Sequence, residues 1–345
     1  MLHIPLRAKE KKKRRTPMRR QPQHKRMEMT ARDIAIFKLL SGNSEHRADP
    51  DFRAFRYLTR AFIYALLPEE VRGGWYGFMA RMTDLLHELY LKVPDERRGR
   101  LTARQTSLIT KDTLNELGEG GQALTGGIKP EYFGSYEHRV LTDIFRAYLS
   151  IALAEHPEFR FTKFHDILEL DNVPEETKAL PEPNVIFLGY KKDKNGVILK
   201  DLKGRPRRIE LEPDYPLCRI EHLKDGEWHS SFLLTEIDCG TEPLRRTGPG
   251  TSIERKIDAY EVALESAIKN QYGIKKSPVY VLFFTIGETR GDNMAALAKS
   301  SKYVDRFLFT HVDGFDGHEA LPVPHTDFLT MPLKTANGTF RFSDL

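Results

Sequence analysis

Residues 231–260 read SFLLTEIDCGTEPLRRTGPGTSIERKIDAY, and this stretch decides how the rest of the chain is read. It opens as an apolar strand, crosses a Gly/Pro-rich turn, and closes as a helix that begins near Ser252 and carries Ile253, Lys256, Ile257 and Tyr260. Glu236 and Asp238 are two residues apart on the strand, so they share one face. Leu234 and Ile237 are assigned to the other face, toward a core. Two carboxylates on one strand face, with a lysine in the next helix, are the groups needed to bind a divalent cation and activate water.

The residues just upstream add a third carboxylate. Ile209–His222 reads as a strand, Lys224-Asp225-Gly226-Glu227 as a turn, and Trp228–Asp238 as the returning strand. With the turn centred between Asp225 and Gly226, paired positions sum to about 451, which sets Asp214 opposite Ile237. A one-residue offset or bulge would set it against Glu236 or Asp238 instead. Like charges brought this close need a positive partner. Asp214, Glu236 and Asp238 are therefore the expected ligands of a hard divalent cation.

Further out, Pro278–Ile286 is a continuous apolar run and predicts a strand buried on both faces. A helix over 293–305 and a strand over 306–311 follow, and the remainder shows little periodicity. On the N-terminal side, 181–210 is Pro- and Lys-rich, with a turn at Asp193-Lys-Asn-Gly196, and reads as an inserted hairpin and loop. Phe159–Leu170 reads as a strand. Ser135–His156 reads as a helix with Glu137 in its first turn, where the helix dipole favours an acid. The Gly-rich residues 119–134 read as a linker.

Residues 28–118 carry a different pattern. Helices are predicted from Thr30 to about Leu40, from Phe52 to Leu67, and from Tyr76 to Tyr90. Extended pieces at 90–93 and 105–109 flank the basic loop Arg97-Arg98-Gly99-Arg100, and a helix over 110–117 closes the segment. Three helices followed by a hairpin with a basic tip is the order of a winged helix-turn-helix. Arg81, Arg97, Arg98 and Arg100 are its candidate DNA contacts.

Charge separates the tail from the body. Of 54 Lys/Arg and 49 Asp/Glu, 11 basic and one acidic residue fall within 1–26, so the tail carries +10 and the remaining chain −5. A run such as Lys11-Lys12-Lys13-Arg14-Arg15 neutralises phosphates without reading sequence; a solubilising tail or an acidic protein partner are the other readings. No apolar run approaches the roughly 20 residues of a membrane span, and no apolar signal segment opens the chain. The two cysteines, Cys218 and Cys239, exclude a disulfide framework. A cytoplasmic protein is expected. No zinc-like histidine spacing and no Walker-type phosphate loop are found.

The helix–strand–hairpin–helix–strand order, with Pro213-Asp214 on one arm and Glu236-x-Asp238 on the other, resembles the PD-(D/E)XK nuclease superfamily. More closely, the chain resembles the replication-relaxation family of plasmids and other mobile elements. The likeness covers residues 28–310. It rests on Ser107-Leu-Ile-Thr-Lys-Asp-Thr-Leu-Asn-Glu-Leu-Gly118, on Pro213-Asp214, on Glu236-Ile-Asp238-Cys-Gly-Thr-Glu242 and on Lys256-Ile-Asp-Ala-Tyr260. It implies an α+β / α/β protein: a basic tail (1–27), a winged helix (28–118), a linker (119–134) and a restriction-endonuclease-like αβββαβ domain (135–345). In this chain Asp238 stands where the superfamily motif has lysine, and Lys256 is the candidate replacement.

The expected function is Mg²⁺- or Mn²⁺-assisted nicking or cleavage of DNA. Asp214, Glu236 and Asp238 would hold the metal, Lys256 would orient water, and Glu137 would complete the site. Glu242 is a candidate supporting group. The alternative is a catalytically inactive DNA-binding accessory factor in plasmid replication, relaxation or transfer; a protein-binding scaffold is a third reading. Expected partners are DNA and replication or relaxosome proteins, with a dimer as one oligomeric option.

Overall fold

The computed structural model describes residues 28–41, 55, 58–88, 90–92, 106–109, 136–193, 195–201, 203–248, 250–313 and 322–345. The chain divides into two units, residues 1–151 with 316–326 and residues 152–315 with 327–345. The architecture is mixed α and β, with a mostly helical N-terminal region. The division falls at residue 151, inside a helix, and not in the Gly-rich stretch 119–134, which lies outside the described residues.

In the first unit, helix α1 (Ala31–Ser41) starts at Thr30 as its sequence predicts. Thr30 and Asp33 cap it reciprocally, through Asp33 N–H to Thr30 Oγ1 at 3.3 Å and Thr30 N–H to Asp33 Oδ2 at 2.8 Å. Within the helix predicted over 52–67, Leu58–Thr59 forms strand β1, and among the described residues of that span Arg60–Leu66 is helical (α2). Sheet pairing overrides helical periodicity here, because Leu58 pairs with Ser107. A short helix α3 (Glu69–Arg72) and α4 (Trp75–His87) follow. Strands β2 (Leu91–Lys92) and β3 (Thr106–Ile109) complete a three-stranded antiparallel sheet in the order β1-β3-β2.

Helix α5 (Tyr136–Glu155) begins in this unit. Val140, Leu141, Ile144 and Phe145 form its fully buried stripe. Phe62 meets Tyr148 edge-on at 5.2 Å between ring centres, and the Arg146 guanidinium lies 4.7 Å from the centre of the Phe55 ring. The segments 42–50, 93–105 and 110–135 lie outside the described residues, and so do the basic loop, the helix predicted over 110–117 and the basic tail.

The second unit is built on a seven-stranded sheet in the order β12-β11-β10-β9-β8-β7-β4. Its strands are β4 (Phe159–Thr162), β7 (Tyr215–Lys224), β8 (Glu227–Asp238), β9 (Val279–Ile286), β10 (Phe307–Val312), β11 (Leu333–Lys334) and β12 (Thr339–Phe340). The stretch 159–170 is not one strand. It turns after Thr162 into helix α6 (Phe164–Leu168), where Phe164 and Ile167, at helical spacing, are both buried. A short helix α7 (Glu175–Lys178) follows, and β5 (Ile186–Tyr190) pairs with β6 (Arg208–Leu211) as a separate two-stranded sheet. Strands β8, β9 and β10 run parallel. Every residue of β9 is buried, as its unbroken apolar run predicts.

The hairpin of β7 and β8 turns on Asp225 and Gly226, both with positive φ (52° and 83°), as a two-residue turn that suits the strand twist. Its register sums to 451 from Lys224↔Glu227 through Cys218↔Leu233, then slips to Tyr215↔Thr235. The one-residue bulge moves the start of β7, and Asp214 with it, toward Glu236. Phe232, Leu234, Glu236 and Asp238 share one face of β8. Leu234 therefore lies on the carboxylate face and not opposite it, within the apolar cluster that β8 shares with the overlying helices.

Those helices are α8 (Ile253–Val262), a π-helical turn (Ala263–Ala267), α9 (Ile268–Tyr272) and α10 (Glu288–Ala298). The last sits five residues earlier than the predicted start at 293. Ser252 caps α8 by accepting from Arg255 N–H at 3.3 Å. Gly273 ends α9 at φ 64°, and a Cβ there would fall 1.7 Å from the Asn172 carbonyl oxygen. Left-handed strain plus backbone overlap predicts that Gly273→Ala costs about 3 kcal/mol. Thermal unfolding of that variant would show a loss below about 1 kcal/mol if the backbone at Asn172 yields freely.

Candidate functional site

The site lies at the C-terminal ends of the parallel strands β8 and β9, where α8 and α10 supply side chains to the β8 carboxylates. β8 supplies Glu236 and Asp238, only 2% and 5% exposed. α8 supplies Lys256 and Tyr260 one helical turn apart, so both side chains face β8. Asp214 precedes β7 and accepts the backbone N–H of Ile237 at 2.9 Å. The loop after β8 supplies Glu242, and α10 supplies Arg290.

These residues sort into two clusters. In the first, Lys256 Nζ donates to Glu236 Oε2 at 2.7 Å and lies 3.1 Å from Glu242 Oε2. Tyr260, fully buried, donates its hydroxyl to Glu236 Oε1 at 2.5 Å. Both oxygens of Glu236 are thus held. Glu242 Oε1 is buried and lacks a hydrogen-bond partner among the described residues. Burial pushes Glu236 up to about 7; Asp214 adds to the shift, and Lys256 and Tyr260 oppose it. Burial works against the Lys256 ammonium, but the charges of Glu236, Asp214 and Glu242 outweigh it and raise its proton affinity. Lys256 is therefore a fixed positive charge at neutral pH and not a base.

In the second cluster, Asp238 is engaged on both oxygens. Arg290 Nη2 donates to Oδ1 at 2.8 Å, Arg290 Nε donates to Oδ2, and Thr285 Oγ1 donates to Oδ2 at 2.6 Å. Thr285 is the register partner of Asp238 across the β8/β9 pair. Arg290 Nη2 also donates to the Glu242 carbonyl at 2.6 Å. The Asp238–Arg290 pair therefore ties the loop carrying Glu242 to the sheet, and its partners raise the proton affinity of the guanidinium.

Asp214, Glu236 and Lys256 come together as the sequence expects. Asp238 shares the strand face but turns its carboxylate to Arg290. Arg290 and Thr285 are not among the residues that the sequence singles out, whereas Tyr260 is, and it both packs in the core and bonds Glu236. The available signal was the acid itself, since an aspartate on a buried strand requires a counter-charge, and Arg290 opens the first turn after the next strand. Glu137 is half-buried in the first turn of α5, in the other unit. Arg81 is committed within the first unit: its Nη2 reaches Asp33 Oδ2 at 2.5 Å and the Glu28 carbonyl at 2.8 Å. Lys11, Lys12, Lys13, Arg14, Arg15, Arg97, Arg98 and Arg100 lie outside the described residues.

Among the described residues, no group of three or more His, Cys, Asp and Glu side chains is arranged to hold a metal ion. Asp214 and Glu236 form a pair, with Lys256 as the positive group beside them. No helix among the described residues is long and apolar enough to cross a membrane. Compared with protein-family models, curated proteins and solved structures, the chain matches none.

Proposed function

We propose that the chain acts on DNA, and that its second unit is a PD-(D/E)XK-like, metal-assisted phosphodiesterase of the kind that serves plasmid replication and relaxation. The observation that carries this reading is the set formed by buried Glu236, half-buried Asp214 and quarter-exposed Lys256 where the end of β8 meets the start of β7 and α8. The first unit supports a winged-helix reading through the order α1, β1, α2, α3, α4, β2, β3, with α3 a single short turn, and the β1-β3-β2 sheet.

The residues present fit a hard divalent cation in part. Glu236 is buried beside Asp214, and its charged form is penalised, which a cation held by these two oxygen donors would relieve. Asp238 does not fit as a ligand, because Arg290 and Thr285 occupy its oxygens; Glu236 fits only if Lys256 or Tyr260 gives up one of its oxygens, since both accept hydrogen bonds. Bound at Asp214 and Glu236, Mg²⁺ or Mn²⁺ would supply Lewis-acid polarisation of a phosphodiester and a more acidic water. Lys256, a quarter exposed, presents its ammonium where negative charge grows on phosphate. Tyr260 fixes the Glu236 rotamer from below. Glu242 Oε2, 3.1 Å from Lys256 Nζ, is the supporting carboxylate that helps hold the ammonium in place.

The test is supercoiled plasmid with Mg²⁺ or Mn²⁺, comparing wild type with Asp214→Ala/Glu236→Ala. Nicked or linear product from wild type, reduced at least about a hundredfold in the variant, supports the reading. One observation favours a DNA-binding accessory factor instead: the motif lysine position is Asp238, locked in a structural ion pair. Full-strength DNA binding by both proteins with no cleavage by either would select that second reading.

A further inference from the structure

Residues 190–210 are the most basic stretch of the second unit. They carry eight Lys/Arg against Asp193, Asp201 and Glu210, a net +5 in 21 residues. Nearly every described residue among them is exposed, Val197 by 61%, so the segment has no apolar core of its own. It is nonetheless built. β5 and β6 form a stem anchored by the buried Ile186 and Leu211. Gln271 and Tyr272 hold its base by donating to the Pro183 carbonyl at 3.0 and 2.8 Å.

Beyond the stem the chain forks. Lys191 N–H donates to the Arg207 carbonyl, Arg207 N–H to that of Leu199, and Leu199 N–H to that of Lys191, at 2.8, 2.9 and 2.8 Å. This closed ring of three bonds is a three-way junction from which two small hairpins leave. The hairpins are an eight-residue repeat, Lys192-Asp193-x-x-Gly196 and Lys200-Asp201-x-x-Gly204. In the first, Asp193 Oδ1 accepts the amides of Asn195 and Val197; in the second, Asp201 Oδ1 accepts those of Lys203 and Arg205. The acids thus serve as turn scaffolds, and Asp201 and Glu210 also pair with Arg205 and Arg208. Among the described residues, Lys191, Lys192, Lys200, Lys203 and Arg207 have no acidic partner within salt-bridge distance.

An ordered segment that buries nothing gains little from folding for its own sake. What this fold achieves is a fixed array of unpaired cations, with both hairpins exposing them. Leu211, the end of the stem, is three residues from Asp214, so the array is chained to the edge of the carboxylate site.

We propose that the two-hairpin arm of residues 190–208 is a docking surface for the phosphate backbone of duplex DNA, positioning it at the Asp214–Glu236 site. The charge complementarity belongs to the arm itself; only the choice of DNA as the polyanion rests on the function proposed above. The arm is distinct from the basic tail and from the first unit, and its contacts would be sequence-independent.

The test uses the full-length chain in EDTA, so that binding is read without cleavage. Affinity for a short fluorescent duplex is measured by anisotropy between 50 and 300 mM salt, for wild type and for Lys191→Ser/Lys192→Ser/Lys200→Ser/Lys203→Ser. These side chains are exposed and the turn-forming Asp and Gly residues are kept, so the fold is preserved; an unchanged melting temperature checks this. The variant is expected to bind at least about tenfold more weakly at low salt, and its log K against log salt slope is expected to flatten by about 0.9 for each phosphate contact removed. Unchanged affinity and slope would overturn the proposal. So would displacement of the DNA by polyglutamate at equal charge concentration, which would mark the arm as a surface for acidic protein. An inactive carboxylate site would silence the plasmid assay but leave this salt slope intact, so the two proposals fail separately.

Discussion

Arg290→Ala is expected to destabilise the chain by about 3 kcal/mol. Asp238 is 5% exposed and its Thr285 contact alone cannot offset a buried charge. Removing the guanidinium strips that carboxylate of its counter-charge and frees the Glu242 carbonyl at the same time. The cost sits at the low end of the range for a broken buried pair because Arg290 keeps 20% of its side-chain surface, so water can enter. Urea unfolding of the single variant, of Asp238→Asn, and of the double variant would test it. The double variant should lose less than the sum of the singles, since each single leaves one charge stranded. Additive losses would mean that the two groups act independently, and that the clamp on the Glu242 loop does not exist. If the clamp exists, the plasmid-cleaving activity proposed above falls in Arg290→Ala even at temperatures where the protein remains folded.

The hairpin shows how far the sequence reaches. Asp-Gly at 225–226 sets a two-residue turn, and a turn of known length fixes the register of everything after it, so Asp214 could be placed near Glu236 by counting. The bulge that completes the approach lies between Tyr215 and Cys218, around Pro216, where a ladder donor is missing. Counting could not say toward which neighbour the slip would go. Strand β9 was legible because an eight-residue apolar run has few other places to be. Three features were not. The residues 58–59 pair with a strand some 48 positions away, a contact that no local period announces. The 159–170 stretch mixes two periods, with Phe159 and Phe161 at strand spacing and Phe164 and Ile167 at helical spacing. Arg290 meets Asp238 from an element 52 residues on, and only the buried acid hinted that such a partner had to exist. Of the Lys-Asp-x-x-Gly repeat at 192 and 200, only the first turn, Asp193–Gly196, stands out in the sequence. The repeat's meaning depends on the ring of backbone bonds at Lys191, Leu199 and Arg207, which no side-chain pattern encodes.

Lys256→Met should show a loss of stability that depends steeply on pH. In wild type, Glu236 already carries a folded-state pKa of about 7, above its ordinary value of 4.5, because burial disfavours its charge. A group raised in this way stabilises the fold fully below its unfolded pKa, and that contribution is lost as pH climbs through the folded pKa. Stability should therefore decline for Glu236 across about pH 4.5 to 7 even in wild type. Removing Lys256 takes away the principal group opposing the shift, so the folded pKa of Glu236 rises further and the window of decline extends upward. At pH 5 the Glu236 carboxyl is neutral in both proteins, and the variant loses a hydrogen bond to Glu236 and the part-buried ion pair with Glu242, about 1–2 kcal/mol together. At pH 8 the variant must either bury an uncompensated charge beside Asp214 or hold a proton against solution, and the loss grows to about 3–4 kcal/mol. The raised proton affinity of Lys256 itself acts only above its unfolded value of 10.5 and leaves this window untouched. Adding Glu236→Gln to Lys256→Met should remove most of the pH dependence, because the titrating group is gone while Tyr260 retains an oxygen to donate to. Denaturant unfolding at pH 5 and pH 8 for the three proteins decides the matter. Equal losses at both pH values would mean that Lys256 acts through packing alone and does not control the charge of Glu236, which would also remove the electrostatic basis for its place in the site.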